Sequence, residues 1–147
     1  MGKALTPARI IIALSAIIAA GHLAGAFLGW YWNPDFFWLD MALHFLGGAF
    51  VGSFVWYIGE KSERLNLFYE DFLRNLFVFL GSAALVGIGW EFFEFFYDWF
   101  FVYGGRVTSP IFQIAQVSMA DTMADLFFDL VGGAAIAVFR FLKVREW

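Results

Sequence analysis

The chain has 147 residues, 62% of them hydrophobic, 22% aromatic and 15% charged, and a formal charge of −4. Soluble domains carry about 25% charged residues, so this composition, with a mean hydropathy of +0.73, indicates one integral membrane domain covering 1–147. The absence of cysteine excludes disulfide, thiolate-metal and thiol-redox chemistry. No basic patch interleaved with polar readers points to nucleic acid.

Thr6-Pro7 reads as an N-cap and first helical residue. It opens a first span over about 8–30, near the roughly 20 residues a bilayer requires. A cleavable signal is the competing reading, because Lys3 and Arg9 flank an apolar run and Ala24-Gly25-Ala26 resembles a cleavage site. That run is longer than a typical signal core, which favours a span. Gly21, Gly25 and Gly29 form a small-xxx-small stripe suited to close helix approach, with His22 beside it.

Trp30 to Trp38 is an aromatic-rich interfacial turn. Within it Asn33-Pro34 repeats the N-cap and first-turn pairing and opens the second helix, whose span covers about 36–59. This helix carries Asp40 and His44 at i, i+4, with Gly47, Gly48 and Gly52 on its close-packing side. Glu60 to Asn66 is a hydrophilic loop.

A third helix opens near Leu67 and spans about 70–99, its first turns keeping Glu70, Asp71 and Arg74 in the interface. Its last third sets Glu91, Glu94 and Asp98 at i, i+3 and i+7 on one face, between aromatics that suit a coat in lipid. Phe100 to Val117 reads as a connector with a short interfacial segment. Ser118-Met119-Ala120-Asp121 is a capping box in its acidic form. It starts a fourth span over about 119–142, with Asp125 and Asp129 one and two turns on and Gly132-Gly133 at the middle. The expected fold is therefore an all-α, four-helix membrane bundle.

One side of such a bundle collects Lys3, Arg9, Lys61, Arg64, Arg74, Arg140, Lys143 and Arg145, against Arg106 alone on the other. The positive-inside rule then places both termini in the cytoplasm. At 1.5 Å per residue, Asp40, His44, Glu91, Glu94, Asp121, Asp125 and His22 all fall within one layer near the outer face, Asp129 a turn deeper. An ionised carboxylate at the centre of a bilayer costs roughly 2.5–3.5 kcal/mol or more, so each acid needs a partner, a proton or water.

Oxygen and nitrogen donors at i, i+3 and i+4 on facing helices are how bundles build metal sites. The candidate ligands of a divalent ion are Asp40, His44, Glu91, Glu94, Asp121 and Asp125. Carboxylates with imidazole suit Zn²⁺, Mn²⁺ or Fe²⁺, and without it Mg²⁺ or Ca²⁺. Simpler readings stand beside this one. Asp121 serves as the capping acid; Asp98 and Asp35 sit in interfacial water; Asp129 pairs with an arginine or a backbone group, or stays protonated. His22 is a hydrogen-bonded packing residue, and its use with His44 as a haem ligand pair suits the acidic surroundings poorly.

The order Asp40-x-x-x-His44-Phe45-x-Gly47-Gly48, Trp90-Glu91-x-x-Glu94, then Asp121-Thr122-x-x-Asp125-x-x-x-Asp129-x-x-Gly132 resembles the small bacterial membrane proteins of the VanZ-like and YjdF-like (DUF2238) group. The similarity covers about residues 36–135. It implies a polytopic protein of a prokaryotic inner or plasma membrane, with Asp40, His44, Glu91, Glu94, Asp121 and Asp125 as its polar signature. One branch of the group is linked to glycopeptide resistance, which implies work at the cell envelope. The VanZ pattern has Glu with Gln and Arg after the middle span, whereas Glu91 with Glu94 is closer to the YjdF side.

Three functions fit these residues. One is a metal-dependent enzyme acting on a membrane lipid or lipid-linked envelope substrate, with Glu91 or Glu94 as general base and the aromatic outer rim receiving the lipid chain. Another is a cation or proton transport element, which would require a homo-oligomer to form a symmetric pore. The last is a non-catalytic scaffold whose polar network fixes helix packing.

Overall fold

A computed structural model describes residues 6–65, 67–68, 71–104, 115–116 and 118–145. Four α-helices make up the bundle: α1 (Pro7–Phe27), α2 (Trp38–Lys61), α3 (Phe72–Tyr97) and α4 (Met119–Arg145). Each is long and apolar enough to cross a membrane, and no strand occurs among the described residues. Large apolar side chains such as Ile12, Phe77, Leu85 and Phe127 point outward, as a surface bathed in hydrocarbon requires.

Helix boundaries differ from expectation where local chemistry intervenes. The first helix stops at Phe27 rather than near Trp30, because Gly29 adopts a left-handed φ of 73° and turns the chain. Asn33 and Pro34 do pair as cap and first residue, but of a separate 3₁₀ turn, Pro34–Phe36, in which the Asn33 side chain accepts the Asp35 amide at 3.0 Å. The second helix begins after it, at Trp38, and runs on to Lys61.

The third helix starts at Phe72, not near Leu67. Asp71 is its N-cap, accepting the Leu73 amide at 2.8 Å, a role the sequence reading did not assign it. At its far end the α-helix passes into a π-helical turn, Asp98–Val102. Most of the expected interfacial segment, together with Lys3, Glu70 and Arg106, lies outside the described residues.

The tightest pair is α2 with α4; α3 packs on α4 and α2, and α1 packs on α2. Lipid tails are as apolar as leucine, so helices in a bilayer associate through close packing and polar contacts rather than hydrophobic burial. Glycine supplies the packing here. A Cβ at Gly48 would overlap the Asp129 carbonyl, and one at Gly132 would overlap the Phe45 carbonyl, so the two backbones touch directly. Gly133 similarly faces Ala83 of α3.

The α1 stripe behaves differently. Gly21 receives the Leu43 side chain, Gly25 is covered by the Tyr31 ring, and Gly29 makes the turn. Only its first member serves helix packing. Beyond the glycine crossing, Ala49, Trp56, Phe79, Ile136 and Ala137 close the interior as an apolar core.

The crossing sets a stability test. Gly132→Ala forces a methyl into backbone atoms of α2 and is expected to destabilise the bundle by about 1–3 kcal/mol. Gly81→Ala, where a Cβ meets nothing, is expected to leave stability at or above the wild-type level. Thermal unfolding of the two variants in one detergent compares them.

Candidate functional site

The glycine crossing determines which polar groups meet. With α2 and α4 in backbone contact at Gly48 and Gly132, His44 and Asp129 come level. His44 Nδ1 lies 3.3 Å from Asp129 Oδ2. Gly87 of α3 makes room for this pair, since a Cβ there would collide with the Asp129 carboxylate. With Nδ1 engaged by this carboxyl group, the imidazole is oriented with Nε2 toward Asp125 of α4.

Nε2 faces Asp125, whose Oδ1 is 3.9 Å away. That is beyond hydrogen-bonding range. Asp40, one turn before His44 on α2, completes a trio in which one donor atom from each residue lies within 4.8 Å of the others. Asp125 is only 2% exposed, and its Oδ1 has no hydrogen-bond partner among the described residues. Asp40 is also within electrostatic reach of Asp121 and Glu91.

The end of α3 supplies the next layer. Glu91 is buried; its Oε2 accepts the Gln116 side-chain amide at 3.1 Å, while Oε1 is buried without a partner among the described residues. Gln116 also donates to the Thr122 hydroxyl at 2.9 Å, so it bridges α3 to the first turn of α4. Glu94 is half-buried at the edge of the group, its Oε1 accepting the Trp90 indole N–H at 2.9 Å. Ser118 Oγ accepts the Asp121 amide at 3.2 Å, the half of the capping box that opens α4.

Asp98 corrects the sequence reading. It is not in interfacial water but 3% exposed, and its two oxygens accept the backbone amides of Ala115 and Gln116 at 2.8 and 2.9 Å. The carboxylate pins the returning chain to the π-helical turn and thereby places Gln116 on Glu91. Nothing local in the sequence marks Gln116 apart from Gln113, the other connector glutamine. The one available signal was Asp98 itself, seven residues after Glu91 on the same face.

His22 takes its simpler role. Its Nδ1 is 2.5 Å from the Tyr31 hydroxyl, and its ring lies 6.1 Å from that of Trp90. Tyr31, in the turn after α1, has its phenol pushed up by burial and then by the charges of Asp40 and Glu94, which keeps it protonated. Asp35 is exposed, and Asp129 pairs with His44 rather than with an arginine.

The Asp98 clamp is testable by hydrogen exchange. Asp98→Asn removes one of two charge-assisted acceptors, worth about 1.5–3 kcal/mol. Exchange at Ala115 and Gln116 is expected to accelerate while the α2 and α4 amides near Gly48 and Gly132 stay protected; unchanged protection at 115–116 would refute the clamp.

Comparison with known proteins agrees with this architecture. An uncharacterised protein of Thermotoga maritima is 29% identical over 137 residues, covering 93% of this chain and 64% of its own length. The chain thus spans less than two thirds of that relative. No solved structure matches. The family model for DUF2238, described as a predicted membrane protein, matches residues 4–146, and the chain belongs to that family.

Proposed function

We propose that Asp40, His44 and Asp125 bind a divalent metal ion, and that the protein is a metal-dependent enzyme acting on a lipid or lipid-linked substrate at the outer end of the bundle. The observation that carries this reading is the unpartnered, fully enclosed oxygen of Asp125 facing the imidazole of His44 across 3.9 Å. Two donors on one ion, each bonded at about 2.0–2.2 Å, sit up to roughly twice that distance apart. A carboxylate buried without a partner costs several kcal/mol, which a cation offsets.

Asp129 would act behind His44, as carboxylates do behind metal-bound histidines, fixing the tautomer and raising ligand basicity. A bound divalent ion supplies a Lewis acid that polarises a phosphoryl or carbonyl oxygen and lowers the pKa of water. Glu91, held by Gln116 at one oxygen and bare at the other, is the general base. Glu94, tied to Trp90, and Asp121 stand at the rim as electrostatic support.

A scaffold network is less favoured because it would leave Asp125 Oδ1 and Glu91 Oε1 buried and unsatisfied for no gain. Transport is less favoured because the core of Ala49, Trp56, Phe79, Ile136 and Ala137 closes the path beyond Asp129. An outer-face site in a prokaryotic plasma membrane, with cytoplasmic termini, belongs to the same proposal.

Metal content of detergent-purified protein tests it. The wild type is expected to hold about one equivalent of a divalent ion, and Asp125→Ala to lose it. Asp129→Asn should weaken affinity about 10–100-fold, and Glu94→Gln should retain the ion. Equal trace metal in the wild type and a folded Asp125→Ala variant would sink the reading.

A further inference from the structure

Because α1 packs on α2 and not along α3, a gap runs between α1 and α3. It holds a cavity of about 440 Å³, within the roughly 300–1,000 Å³ of pockets that bind small ligands. Ile18 and His22 lie on its α1 wall, Val86 and Trp90 on its α3 wall, and Val51 on its α2 floor. Val86 is 52% and Trp90 41% exposed, so the lip is on the outer surface of the bundle and the cavity opens sideways, at the level of the spans.

The floor is graded. Asp40, His44, Gly47 and Val51 all line the cavity and recur at i, i+4, i+7 and i+11 on one face of α2. That face is about 16 Å long at 1.5 Å per residue. It is acidic and imidazole-bearing at one end and purely apolar at the other. His22 and Trp90, in ring contact, bridge α1 and α3 beside the polar end. Where the apolar part of the cleft opens between the spans, what adjoins it is lipid chain.

We propose that this cleft seats the hydrocarbon chain of a lipid that enters sideways between α1 and α3 and presents an anionic head to the Asp40–His44–Asp125 cluster. The head position rests on the metal-centre reading; the chain position rests on the cleft. The aromatic outer rim is then not the chain's seat, and Gly47 keeps the passage from head to chain open.

The test uses the full chain in phosphatidylcholine vesicles containing a small fraction of phosphatidate with a diazirine near the end of one acyl chain. After irradiation, labelled residues are mapped by mass spectrometry. Label is expected to be enriched several-fold at Val51 and Val86 over the outward-facing Ile12, Phe77 and Leu85. Val51→Trp, which fills the floor without altering the cluster, should bring cleft labelling to the surface level while metal content is unchanged. Val86→Trp at the lip gives the same readout if the first variant misfolds.

Labelling no higher in the cleft than on the surface, or unaltered by both tryptophans, overturns the proposal. So does a disulfide between two copies of a Val86→Cys variant on oxidation, which would make the cleft a self-association surface. Cleft labelling in protein that binds no metal would refute the metal centre and leave the chain seat standing; bound metal without cleft labelling does the reverse.

Discussion

The backbone contact between α2 and α4 at Gly48 and Gly132 is the constraint on which the rest depends. Each glycine faces a peptide carbonyl of the other helix, a distance that any side chain would abolish. In a bilayer, where apolar burial gives helices little reason to choose one partner over another, such a contact selects both the pair and its register. Register then decides chemistry. It sets His44 against Asp129 and aims the other imidazole nitrogen at Asp125. Gly87 extends the same principle to α3, leaving out a side chain where the Asp129 carboxylate must lie.

Around that pair the polar groups are arranged by how well they are satisfied. Asp98 is saturated by two backbone amides and acts as a structural clamp. Glu91 is half-satisfied through Gln116, and Asp125 keeps one buried oxygen bare. Buried polar groups left unpaired are costly and therefore uncommon. Here one of those bare oxygens, Asp125 Oδ1, lies 3.9 Å from the imidazole, which is where a cation would be most useful and where the proposed chemistry is placed.

The loosely attached first helix completes the arrangement. By packing chiefly on α2 it leaves a lateral gap instead of a sealed four-helix interior. Tyr31 folds back over Gly25 and bonds His22, tethering the C-terminal end of α1 close to the polar group. A site enclosed by α2, α3 and α4 thus keeps one side open to the membrane.

Much of this was legible in the chain itself. Four apolar runs of spanning length, the proline and serine starts, and the glycines of α2 and α4 follow from local sequence, because helix periodicity and bilayer thickness act over a few turns. The clustering of Asp40, His44, Glu91 and Asp125 at one depth also follows, since depth is a count of residues from a helix end. Depth does not fix direction around the helix, so pairings waited on packing. Only the tertiary structure decided that Asp129 belongs to His44, that Asp98 is buried by a connector 17 residues away, that Gly25 accommodates a tyrosine and not a helix, and that Gln116 joins α3 to α4. Each of these depends on where a distant backbone lies, and that position is set by which glycines touch.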